Sequence, residues 1–169
     1  MSKSSFATPS ENRYFEDYVP GSVHEFGSIP VELEEIISFG RRFVPFSYHT
    51  DSELAKKSIY GGLIASGWHT AALMMRLYTD HYLSKVANVS SPGGDELRWE
   101  KPVYPGDELS IRVTVLETRL SLSKPDLGIV RSFIEVLNQE REVVMSLKLV
   151  NMVRSRNSPD PSRGGSASG

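Results

Sequence analysis

The sequence predicts an α+β domain in which one long buried helix is followed by an antiparallel sheet. Two observations carry this reading. From about Ser66 to Ser84 the chain reads as a single helix, with Ala65, Trp68, Ala72, Met75, Leu77 and Leu83 making it apolar around most of its girdle, as in a helix enclosed by other elements. Further on, Leu109, Ile111, Val113 and Val115 alternate with Ser110, Arg112 and Thr114, the two-residue period of a strand with one buried face.

Taken in order, Met1 to Asn12 is polar with one Phe and has no apolar core region, so it reads as a loose N-terminus and not as a signal sequence. Pro30 suits the first turn of a helix, where its missing N–H costs little. Val31, Leu33, Ile36, Ile37 and Phe39 continue that helix as an apolar stripe, and Gly40 marks its end. Arg41 to Tyr48 reads as irregular. Thr50 followed by Glu53 has capping-box spacing and opens a short helix to about Lys57. Gly61-Gly62 breaks the chain before the long helix. Leu97–Trp99 and Val103 read as a strand with Pro102 at a bulge or edge. Pro105-Gly106-Asp107 is a turn, Ile129 to Leu137 and Val143 to Val153 are further strands, and Asn138 to Arg141 is the turn between them. The order is strand, helices, one long helix, then an antiparallel meander. One domain runs from about Arg13 to Arg154. Residues 155–169, SRNSPDPSRGGSASG, hold one apolar side chain, Ala167, and read as a disordered tail.

Composition excludes several functions. The 169 residues carry 19 basic and 21 acidic side chains, a net charge of -2, which argues against an electrostatic nucleic-acid binder. With no cysteine there is no disulfide, zinc knuckle, iron–sulfur cluster or thiol nucleophile. The apolar run from Leu63 to Leu83 is interrupted by Ser66, His69, Arg76, Asp80 and His81, which is wrong for a lipid-facing helix. The chain therefore reads as soluble and cytoplasmic. His24 and His81 have no ligand partners at useful spacing, so no metal and no cofactor are expected. Glu32-Glu34-Glu35 and Lys56-Lys57 read as solvated helix faces, and Trp68, Trp99, Met74 and Met75 as core.

Three stretches carry a resemblance. Arg13-Tyr14-Phe15-Glu16-Asp17-Tyr18 with Pro20-Gly21 forms the first. Phe39-Gly40-Arg41-Arg42-Phe43, His49-Thr50-Asp51 and the run Gly61 to Thr70 form the second. The third is Leu97 to Leu109, with Pro102-Val103, Pro105-Gly106-Asp107 and Leu109 at its centre. Together, in this order, they resemble the MaoC-like dehydratases, relatives of the (R)-specific enoyl-CoA hydratases. The resemblance implies a hot-dog fold, in which a curved antiparallel sheet wraps a long central helix, here from about Ser66 to Ser84. It also implies a homodimer and an acyl-CoA thioester substrate.

Hydratases of this family use an Asp and a His five residues apart to activate water, and a backbone N–H at a helix start to hold the enolate oxygen. His49 matches the family His. The Asp position is Val44, the Gln/Asn position is Phe46 and the second Pro is Ser47. Val cannot bind water or accept a proton. Asp51, Glu53 and His69 are the nearest substitutes in sequence. Asp51 reads more simply as a solvated helix start, and His69 as a satisfied, packed histidine. Ser47 and Tyr48 also lie close to His49. Ser66-Gly67 falls where the resemblance places the oxyanion donor, with the Gly67 N–H as that donor. The alternative is that Gly67 only lets the helix start close to the sheet.

Three functions follow from the resemblance. One is reversible hydration of a 2-enoyl-CoA to a 3-hydroxyacyl-CoA with the Asp replaced. A second is a non-catalytic acyl-thioester-binding protein, or an inactive partner subunit, suggested by Val44 and Phe46. The third is thioester hydrolysis, for which Asp80 lies far from the helix start.

Overall fold

A computed structural model describes residues 6–158. Strand β1 (Val23–Pro30) leads into helix α1 (Leu33–Phe43) and two single turns, α2 (Ser47–Thr50) and α3 (Ser52–Ala55). Helix α4 (Gly67–Leu77) continues through a π-helical turn, Tyr78–Tyr82. Strands β2 (Asn88–Trp99), β3 (Glu108–Leu120), β4 (Leu127–Leu137) and β5 (Val143–Arg154) complete the chain. All five strands form one curved antiparallel sheet, in the order β1-β3-β4-β5-β2, against which α4 packs. This is the architecture that the resemblance implies.

The period-2 strands hold as expected. Leu109, Ile111, Val113 and Val115 of β3 are fully buried, as are Val130, Ser132, Ile134 and Val136 of β4. Their partners on β5 include Met145 and Leu147. The buried residues of α4, namely His69, Thr70, Leu73, Met74 and Leu77, followed by Tyr78 and Tyr82, form two adjacent columns; Leu73, Met74, Leu77, Tyr78 and Tyr82 join the core cluster with the sheet residues. Two hydroxyls fix the helix against the sheet: Tyr78 Oη donates to Asn151 Oδ1 (2.8 Å), and Tyr82 Oη shares a proton with Ser132 Oγ (2.6 Å). Burial pushes both phenols to higher pKa, so they stay neutral donors.

Several expectations are corrected. Pro30 ends β1 and does not start α1, whose N-cap is Glu32. Gly40 does not end α1, which runs on to Phe43 with Glu34 and Glu35 in its first turn and Arg41 and Arg42 in its last, all favourable to the helix dipole. The cap of α3 is Asp51, one residue after Thr50: its carboxylate accepts from Glu53 N and Leu54 N, while Thr50 Oγ1 turns back to the Phe46 carbonyl. Strand β2 stops at Trp99, leaving Val103 in the following loop. The helix α4 is not enclosed all round. Trp68 and Met75 are exposed, and so is Trp99 on β2, because the side of α4 beside the β2 edge has no covering element among the described residues.

The N-terminal segment is packed where it is described. Phe6 stacks on His24 (3.8 Å between centroids) and lies 3.5 Å below the Arg13 guanidinium. Arg13 is buried and caps the far end of the long helix. Its Nη1 donates to the carbonyls of His81 (3.0 Å) and Tyr82 (2.7 Å), and its Nε and Nη2 donate to Thr8 O. Ser84 Oγ in turn donates to Arg13 O. At the other terminus, Ser155 donates to Glu16, and Arg156 pairs with Asp17. Met1–Ser5 and 159–169, parts of the expected loose ends, lie outside the described residues.

Arg13→Ala takes the guanidinium from the carbonyls of Thr8, His81 and Tyr82, with Tyr82 O keeping Tyr18 Oη as a donor. Unpaired buried polar groups cost about 1–3 kcal/mol each, so a urea melt of the variant shifts to a clearly lower midpoint with an unchanged slope.

Candidate functional site

The site is built around a short buried crossing, Leu63–Ser66, which leads from the Gly61-Gly62 turn into α4. Ile64 N donates to Tyr48 O (3.0 Å), and Ile64 O lies 2.8 Å from His49 Nδ1. A carbonyl only accepts, so His49 Nδ1 carries the hydrogen. In the neutral ring the lone pair therefore sits on Nε2, which meets no protein partner among the described residues. On the other side of the crossing, Ala65 N donates to Val103 O (2.8 Å). Ser66 caps α4, its Oγ accepting from Trp68 N (3.3 Å). The next N–H, that of Gly67, is one of the unfilled donors of a helix start.

Two glycines let these parts meet. A Cβ on Gly40 would lie 2.8 Å from His49 Cβ and 2.9 Å from His49 O, so α1 presses on α2 only because Gly40 has no side chain. A Cβ on Gly67 would lie 2.3 Å from Trp99 Cε2 and 2.4 Å from its Nε1, so the indole rests on the first turn of α4.

Between these parts lies a cavity of about 350 Å³. Tyr48, His49 and Gly67 of the sequence-predicted residues line it. Ser66 is buried in its capping role, and Ser47 is exposed outside the lining. Tyr48 stands edge-on to His49 (4.6 Å, 70°) and Tyr60 leans on Tyr48 (5.4 Å). Val44, the C-cap of α1, is half-buried and does not line the cavity. None of the nearest substitutes lines it either. Asp51 caps α3, Glu53 pairs with Lys56 (2.7 Å), and His69 faces another groove.

Sequence reasoning missed Tyr60, Thr70, Glu100 and Lys101, and placed Trp99 in the core. All five line the cavity. The two charged ones are engaged. Glu100 Oε1 accepts from Ser146 Oγ (3.4 Å), and Lys101 pairs with Glu142. The signal that could have found Trp99 is Gly67 itself, since a helix starting on Gly makes room for something large.

On the opposite side of α4, a wider groove of about 830 Å³ runs along α1. His69 lies there, stacked on Phe39 (5.1 Å), with Nε2 3.8 Å from Glu35 and Nδ1 buried without a partner. It is packed as expected but not satisfied. Burial holds its pKa below the ordinary 6.5, against the pull of Glu35.

Two measurements check this geometry. Gly40→Ala forces backbone and side chain apart at His49, and such overpacking costs about 1–3 kcal/mol, read as a lower thermal midpoint. A histidine kept neutral by burial favours the folded state at high pH. That stability is fully present above 6.5 and drains away as the pH falls from 6.5 toward the lower folded-state value. In urea melts from pH 8 to 5, His69→Gln is expected to lose less stability over the acidic range than the wild type.

The comparisons with known proteins agree with this architecture. The family model described as MaoC like domain matches residues 17–135. The crystal structure of a MaoC-like dehydratase from Rhodospirillum rubrum is 38% identical, with a TM-score of 0.79, covering 87% of this chain and 100% of that one. An uncharacterized protein, YdeM, of Bacillus subtilis (strain 168) is 28% identical over 139 residues, 82% of this chain and 97% of that protein. The unliganded R-hydratase PhaJ1 from Pseudomonas aeruginosa shares the fold at 21% identity and a TM-score of 0.69, over 84% and 86% of the two chains. With a hot-dog sheet wrapped on α4 and a family match over most of the folded residues, this chain belongs to the MaoC-like domain family.

Proposed function

We propose that the protein hydrates a 2-enoyl-CoA reversibly to a 3-hydroxyacyl-CoA, with His49 as its acid–base group. The observation that carries the reading is the fixed tautomer of His49. The Ile64 carbonyl holds Nδ1–H, which leaves the lone pair on Nε2 of a ring that lines the cavity together with Gly67. Family membership and the R-hydratase neighbour support an acyl thioester as substrate.

In this reading the thioester carbonyl accepts from Gly67 N–H at the positive end of α4. A water bound at His49 gives its proton to Nε2 as its oxygen bonds to C3. The C2–C3 π electrons move onto C2 and the carbonyl oxygen, forming an enolate. The imidazolium then returns the proton to C2. One hydroxyl and one hydrogen are added, and His49 ends neutral. Because Val44 supplies no carboxylate beside His49, one group makes both transfers. Hydration of crotonyl-CoA, followed as loss of the enoyl-thioester absorbance, is expected in the wild type and at least about 10²-fold lower in His49→Ala.

Val44 favours a second reading, an acyl-thioester-binding protein or inactive partner subunit. If so, the wild type is silent, binds acyl-CoA in calorimetry, and gains activity in Val44→Asp. Thioester hydrolysis is not favoured. Asp80 is held by Arg76 (2.7 Å) and lies 13 residues along the helix from Gly67, roughly 20 Å at 1.5 Å per residue.

The working unit in this reading is a homodimer. Trp68 (58% exposed), Trp99 (48%) and Met75 (39%) lie beside the exposed edge strand β2, an apolar face suited to a second copy. No helix among the described residues is long and apolar enough to cross a membrane.

A further inference from the structure

The Trp99 indole is the part of the cavity that the hydration reading leaves unused. Trp99 is the last residue of β2, paired in register with Met145, whose side chain is fully buried, so it projects to the concave side of the sheet, toward α4. There its five-membered ring edge rests on Gly67. The points 2.4 Å from Nε1 and 2.3 Å from Cε2 are where a Cβ on Gly67 would stand. Trp68 packs edge-to-face on the same indole (5.2 Å, 79°) and fixes its plane. An indole N–H can only donate, and among the described residues no acceptor meets it.

Two donors therefore stand side by side at the start of α4: the Gly67 N–H, unfilled by the helix, and the Trp99 Nε1–H, unfilled by the sheet. Both border the cavity that His49 enters. We infer that Trp99 is a second oxyanion donor, its Nε1–H bonding the thioester carbonyl oxygen together with Gly67 N–H. This rests on the hydration reading above and extends it to a residue for which that reading gives no chemical role.

A donor of this kind strengthens its bond as the carbonyl oxygen gains charge, so it acts on kcat more than on KM. A packing residue would instead alter binding and stability. The indole also comes from the sheet, whereas Gly67 belongs to the helix. Placement of α4 against β2 thus sets the distance between the two donors. This explains why a large aromatic residue sits half-exposed at the end of an edge strand.

The test compares wild type, Trp99→Phe and His49→Ala with crotonyl-CoA as substrate and butyryl-CoA, which cannot be hydrated, as bound probe. Phe keeps an aromatic ring over Gly67 and removes the N–H. Trp99→Phe is expected to lose about 10²-fold in kcat, the usual cost of one oxyanion donor, with KM nearly unchanged. The infrared carbonyl band of bound butyryl-CoA should lie at higher frequency in Trp99→Phe than in wild type. To separate the N–H from ring size, benzothienylalanine at position 99 keeps the indole shape without the donor and should behave as Trp99→Phe does. Turnover abolished in His49→Ala but retained in Trp99→Phe, with an unshifted carbonyl band, overturns this inference and leaves the hydration reading intact. Absence of turnover in wild type overturns both.

Discussion

Everything at the cavity depends on the buried crossing Leu63–Ser66, which has no room to move. Its amides and carbonyls must be paired because no water reaches them, and each pairing fixes a different element. Through Ile64 it holds α2 and the tautomer of His49; through Ala65 it holds the loop after β2; through Ser66 it caps α4. The His49 imidazole, a helix start and the loop after β2 are thereby positioned by three consecutive residues. The cost of leaving any of those backbone groups unpaired is what keeps the site assembled without a bound ligand.

The two ends of α4 show contrasting chemistry. At its N-terminal end the donors of Gly67 and Trp99 remain unfilled beside a cavity. At its C-terminal end every exposed carbonyl of the last turn that Arg13 reaches is filled, and the tyrosine hydroxyls are paired with Ser132 and Asn151. Hydrogen bonds to buried polar side chains specify position in a way that apolar packing does not. The rigid end therefore sets where the open end lies.

Much of this was legible in the sequence. Strands β3 and β4 announce themselves because one face of each is buried, which writes a period of two into the residues, while β5 shows as an apolar run. Ser66 and Gly67 are legible as a helix start, and His49 through the motif around it. The strand β1 was not legible in its residues, because Val23–Pro30 carries mixed burial and no alternation. Gly40 was misread as a terminator, since a glycine needed for close approach looks the same as one needed for a turn. Trp68 and Trp99 were misread as core because size and apolarity say nothing about whether a covering element exists. The cavity itself joins residues 48, 60, 67, 99 and 144, and no local pattern links them.

The order of the strands has a further consequence, in the timing of folding during synthesis. Strand β2 is made before β3, β4 and β5, yet among the described residues β5 is its only neighbour in the sheet. A ribosome must therefore reach β5, from Met145 onward, before β2 can be bonded, while β3 and β4 can already pair as a hairpin. Until then β2, with Trp99 at its end, is an unpaired strand on an incomplete sheet, a form of chain open to association with others. The exposed residues and repeated register breaks along β2 make it a poor template for foreign strands during that interval. The final strand inserts between two waiting edges, so completion of the sheet and completion of the cavity wall at Val144 are one event.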